Sequence, residues 1–65
     1  MIRSQLVKSM KQYTGAGVIT RKKLMQFLGY KDRMSVEKYV YGLRKFGAGY
    51  AIEDVADRIM EEAQS

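Results

Sequence analysis

The sequence predicts a small, mainly α domain. Four helices and a minimal pair of extended segments fill a single unit over residues 1–65. Apolar residues recur at three- and four-residue spacing in four stretches, the mark of helices with one buried face. Glycines stand between those stretches. Only two short runs, Val18-Ile19 and Tyr50-Ala51-Ile52, are extended in character. With no cysteine in 65 residues, no disulfide staples the fold. An apolar core must hold it at a stability of roughly 3–5 kcal/mol.

The first helix is expected over residues 2–14. Ile2, Leu6, Met10 and Tyr13 form its stripe and Val7 widens it. Gly15 and Gly17 end it, because a glycine just past the last periodic residue suits a left-handed cap. Val18-Ile19 is expected to pair with Tyr50-Ala51-Ile52. Thr20 caps a second helix over 21–28, with Ile19 and Leu24 at hydrophobic-staple spacing and Leu24, Phe27 and Leu28 facing inward. Gly29 ends it. Ser35 is expected to cap a third helix, with Met34 and Tyr39 as its staple and Val36, Tyr39, Val40, Leu43 and Phe46 inward. Gly42 inside such a helix costs about 1 kcal/mol against alanine. Either another helix or a nucleic-acid backbone coming too close for a side chain accounts for it. After the glycine turn Gly47-Ala48-Gly49, the last helix runs over 53–63. Its stripe is Ile52, Val55, Ala56, Ile59, Met60 and Ala63, and Glu53 and Asp54 suit its first turn.

Net charge is +5, and its distribution is lopsided. Residues 1–52 carry eleven cations against Asp32 and Glu37, a net of +9; residues 53–65 carry Arg58 against five acids, a net of −4. That split suggests a basic binding body with a separate acidic helix. There is no histidine and no cysteine, which excludes the usual zinc-finger ligands and most nucleophile–base pairs. Asp54, Asp57 and Glu61 lie along one helix, an arrangement that belongs to a solvated face. Gly15 and Gly17 follow a helix rather than a strand, so they make no dinucleotide-binding turn. The protein is therefore not expected to be an enzyme, or to use a cofactor, a metal or a small-molecule substrate. No run of about eighteen apolar residues exists to cross a membrane, and the amphipathic first residues are not expected to act as a signal peptide. A cytoplasmic location, on the nucleoid when DNA-bound, is the expectation.

The stretch Ile19 to Leu43 concentrates the chemistry. Two helices joined by a polar turn, with cations outside, have the layout of a helix-turn-helix DNA reader. Arg21, Lys22 and Lys23 occupy the first turn of the second helix, where the dipole disfavours cations and free amides favour a phosphate. With Thr20, Lys31, Arg33 and Arg44 they are the expected phosphate contacts. About six such contacts give a log–log salt slope of about −5. Ser35, Lys38, Tyr41, Gly42 and Lys45 remain once the apolar face of the third helix is assigned, and these are the expected base-facing residues.

Residues 18–60 resemble the winged-helix domains of the excisionase group, similar to the N-terminal domains of MerR-type regulators. The segments ITRKKLMQFLGY, SVEKYVYGL and GAGYAIEDVADRIM carry the resemblance in that order. It implies a winged helix-turn-helix of four helices with a minimal two-stranded β wing at Gly47-Ala48-Gly49. It also implies a small sequence-specific double-stranded DNA-binding protein of a phage or mobile element, either an excisionase or a small transcriptional regulator. The implied partners are DNA, a recombinase or integrase, and another copy of the chain. The alternative function is a helical protein-interaction module that docks on an integrase or another partner.

Overall fold

In a computed structural model, residues 2–64 are described, without the side chains of Arg33 and Gln64. Helix α1, Arg3–Thr14, ends where Gly15 turns left-handed (φ 72°) and its N–H donates to the Lys11 carbonyl. Only the middle of its expected stripe is fully buried: Leu6 and Met10 lie in the core, while Ile2 and Tyr13 are exposed. Tyr13 still braces the next helix. Its ring meets Phe27 edge-on at 5.4 Å, and its hydroxyl donates to Gln26 Oε1 at 3.3 Å.

Strand β1, Val18–Thr20, runs directly into α2, Arg21–Leu28. Thr20 is the expected cap: its Oγ1 accepts from the Lys23 N–H at 3.2 Å. Ile19 and Leu24, the staple pair, are both buried. Phe27 and Leu28 pack against the core at partial burial, and Gly29 closes α2.

The third helix differs from the expectation in three ways. It starts on Asp32 rather than Ser35, because the Asp32 Oδ1 accepts from the Met34 N–H at 3.0 Å and opens a 3-10 turn, Arg33–Val36. Ser35 therefore lies inside that turn, and Met34 is 72% exposed rather than stapled to the buried Tyr39. The α-helix proper, α3, is only Glu37–Val40. Its last bond runs from the Tyr41 N–H to the Glu37 carbonyl at 2.8 Å, after which Tyr41 (φ −59°, ψ 125°) and Gly42 (φ 78°) make a turn closed by the Leu43 N–H on the Val40 carbonyl at 3.1 Å. Gly42 thus lies outside any helix. Apart from its two chain neighbours, no described residue has an atom within 4 Å of the place its Cβ would occupy, so it is the left-handed backbone that requires the glycine there.

Strands β2, Lys45–Phe46, and β3, Gly49–Ala51, form the hairpin. Among the described residues the sheet is three-stranded and antiparallel, in the order β1-β3-β2, with Ile19 and Lys45 both opposite Tyr50. Phe46, expected in the core, sits on the β2 edge and is exposed. Gly49 is buried against β1: a Cβ there would stand 3.1 Å from the Ile19 carbonyl oxygen. Helix α4, Ile52–Gln64, takes Ile52 as its first residue rather than leaving it in the strand. Ile52, Val55 and Ala56 are fully buried and Ile59 and Met60 partly so, whereas Ala63, expected in the stripe, is exposed.

The acidic helix is not a separate body. Arg3 of α1 bonds the Asp57 carboxylate and lies 3.9 Å from Glu53. The hydrogen bond to Asp57 holds the Arg3 guanidinium protonated beyond its ordinary range. Four α-helices, a buried apolar core and a β2–β3 wing joined by β1 make this a small, mainly α winged helix-turn-helix domain.

Candidate nucleic-acid interface

Apart from Lys8 and Lys11, exposed on α1 with no carboxylate within 4 Å among the described residues, the cations with described side chains divide into two sets. Arg3, Arg21 and Arg58 are committed to internal ion pairs. Lys22, Lys23, Lys31, Arg44 and Lys45 are exposed, and among the described residues none has a carboxylate within 4 Å. Lys38 is exposed too, with its Nζ 5.2 Å from the Tyr39 ring centroid. These six lie on consecutive elements from α2 through the turn and α3 to β2.

At the start of α2 there is no acid in the first turn, and Lys22 and Lys23 stand beside a capped amide terminus. Arg21 points elsewhere: its Nη2 is 2.9 Å from Oε2 of Glu37. One ion pair thus ties the first turn of α2 to the first residue of α3. Thr20, expected on phosphate, has its hydroxyl oxygen engaged in the cap. The side chain of Arg33 lies outside the described residues.

The expected base-facing set is not one helix face. Ser35 is half-buried in the 3-10 turn and Lys38 is on α3. Tyr41 and Gly42 lie in the turn after it, and Lys45 is on β2. The continuous helical segment 33–40 spans about 14 Å, from four residues at roughly 2.0 Å and four at 1.5 Å. That is enough to cross a major groove about 12 Å wide. The end of α3 and the turn after it are held by α4. Arg58 Nη1 donates to the carbonyls of Lys38 (3.2 Å) and Tyr41 (2.9 Å). It satisfies carbonyls that the end of a short helix leaves without partners. Deeper in, the Tyr30 and Tyr39 hydroxyls meet at 3.5 Å. That hydrogen bond, with burial added, pushes the Tyr39 hydroxyl up to about 12.

Glu37 and Arg58 were not among the expected site residues. Glu37 meets Arg21 sixteen positions away, and the carbonyls that Arg58 holds lie seventeen and twenty positions away, beyond any helical spacing. The exposed Phe46 had a local signal: Lys45-Phe46-Gly47-Ala48-Gly49-Tyr50 reads as a hairpin with a glycine turn.

Among the described residues there is no pocket, no group of three or more metal-ligating side chains, and no helix long and apolar enough to cross a membrane. The class the geometry defines is a winged helix-turn-helix domain with an unpaired cationic face. Comparison of the chain with family models, curated proteins and solved structures returns no match.

Proposed function

We propose that the protein is a small sequence-specific double-stranded DNA-binding protein. It acts as an excisionase-like architectural factor or a small transcriptional regulator, nucleoid-associated when bound. The observation that carries this reading is the sorting of charge. Arg3, Arg21 and Arg58 are paired internally, while Lys22, Lys23, Lys31, Lys38, Arg44 and Lys45, along α2, the turn, α3 and β2, stay exposed with no carboxylate within 4 Å among the described residues. Phosphates are the partner such a face fits.

Segment 33–40 enters the major groove, and Lys38 and Tyr41 reach base edges from it and from the adjoining turn. Lys45 approaches from the wing. Lys22, Lys23, Lys31, Arg33 and Arg44 take phosphates. With Arg21 held by Glu37, about five contacts remain, which sets a log–log salt slope of about −4.5.

Selection from a random DNA pool with the purified protein tests the reading. A recurrent motif is expected, and Lys38→Ala with Lys45→Ala should lower the ratio of specific to random affinity. An unchanged ratio would assign base reading to other residues. A second reading, docking on a recombinase or another partner, is favoured by exposed Met34, Tyr41 and Phe46. Partner capture that survives Lys22→Ala with Lys23→Ala, while DNA binding is lost, would separate the two.

A further inference from the structure

We infer that Glu37 determines specificity, reading a cytosine and restraining binding to random DNA. This rests on the proposed DNA reading. Glu37 is the one acid on the helical segment 33–40, at the first residue of α3. Its Oε2 is held by Arg21 at 2.9 Å, while Oε1 has no partner among the described residues. The carboxylate is thus oriented by one oxygen and free at the other, at partial exposure.

In the major groove the exocyclic amine of cytosine is the donor that a carboxylate accepts. On DNA without that cytosine, the carboxylate meets only phosphates and acceptor edges, and Arg21 stays neutralised by its partner instead of adding a phosphate contact. The same side chain therefore stabilises one sequence and weakens binding to the rest.

The test pairs binding titrations on random DNA with selection from a random pool, for the wild type and Glu37→Gln. The substitution is isosteric, and the Tyr41 N–H to Glu37 carbonyl bond is a backbone contact that it leaves in place. Glu37→Gln should release Arg21 to phosphate. One extra contact steepens the salt slope by about 0.9 and raises random-DNA affinity about eightfold near 0.1 M salt. The selected motif should change at one position, from cytosine toward adenine, the base a side-chain amide suits. An unchanged base profile or an unchanged random-DNA affinity overturns the inference.

Arg21→Met breaks the same ion pair and keeps the carboxylate. It should retain cytosine as the preferred base at a lower specificity ratio, and a switch to another base there likewise overturns the assignment to Glu37. A wild type with no base preference sinks the DNA-reading proposal itself. A wild type with a preference that Glu37→Gln leaves unmoved sinks only this one.

Discussion

Replacing Arg58 with methionine removes one guanidinium from two carbonyls while keeping most of the aliphatic stem. A hydrogen bond from a charged donor contributes about 1.5–3 kcal/mol net when well buried. Arg58 is 27% exposed, so water recovers part of that, and the two bonds at 2.9 and 3.2 Å together are worth about 1–2 kcal/mol. The ion pair to Glu61 is long at 3.7 Å and its partner is exposed, so it adds less than about 0.5 kcal/mol. For a domain of this size each kcal/mol moves Tm by about 4–8 °C, so Arg58→Met should melt roughly 5–15 °C below the wild type. Glu61→Gln should melt with the wild type. Arg58→Lys keeps the charge but presents a single ammonium in place of the planar fork, and should fall between. Urea denaturation of the three variants decides the matter. If Arg58→Met loses under about 0.5 kcal/mol, the ordinary effect of a surface substitution, then Arg58 does not hold the end of α3.

Three other outcomes rest on the same geometry. Gly49→Ala places a Cβ 3.1 Å from the Ile19 carbonyl, between two paired backbones that cannot both give way. A loss of about 1–3 kcal/mol is expected in chemical denaturation, and a neutral result would mean that β1 and β3 separate readily. Lys22→Ala with Lys23→Ala should flatten the salt slope by about 1.8. It should also raise Tm, since each cation removed from the first turn relieves about 0.3–1 kcal/mol of dipole repulsion; a lower Tm would show that these lysines support the fold. Tyr39 is raised from 10 to about 12, first by the Tyr30 hydroxyl and then by burial. Below pH 10 the resulting stability is fully present. As pH climbs from 10 toward 12, the unfolded chain ionises ahead of the folded one, and that stability is lost. Tyr39→Phe should show a flatter decline over that window, and parallel curves would remove Tyr39 as the cause.

The parts of the fold written in neighbouring residues were legible in the sequence. Thr20 before a run starting at Arg21, and Gly29 after Leu28, bound α2 at both ends. Val18-Ile19 and Tyr50-Ala51 were the obvious extended partners, and they pair. The third helix was misjudged because its start and end are settled by competition. Asp32 and Ser35 both offer a capping oxygen, and Asp32 acts first. A helical pattern through Val40, Leu43 and Phe46 continues past Gly42, but Arg58, on a different element, satisfies the carbonyls that a helix stopping at Val40 leaves open. With the helix stopped, Lys45 and Phe46 are free to form a strand. The site inherits the same division. Lys22, Lys23 and Lys31 stand exposed where a polar stretch would put them, while Arg21 is claimed by Glu37, which no local spacing brings near it.

The strand order carries a consequence for how the molecule comes to be folded. β3 lies in the middle of the sheet, so β1 has nothing to pair with until residues 49–51 arrive. Pairing Ile19 with Tyr50 closes a loop of roughly thirty residues, at an entropic cost of about 3 kcal/mol, and the whole segment from α2 to β2 lies inside that loop. Local helices form early, but the cationic face acquires its geometry only when this long-range contact closes. A nascent or partly unfolded chain therefore presents the same lysines without their arrangement until Tyr50 seats against Ile19.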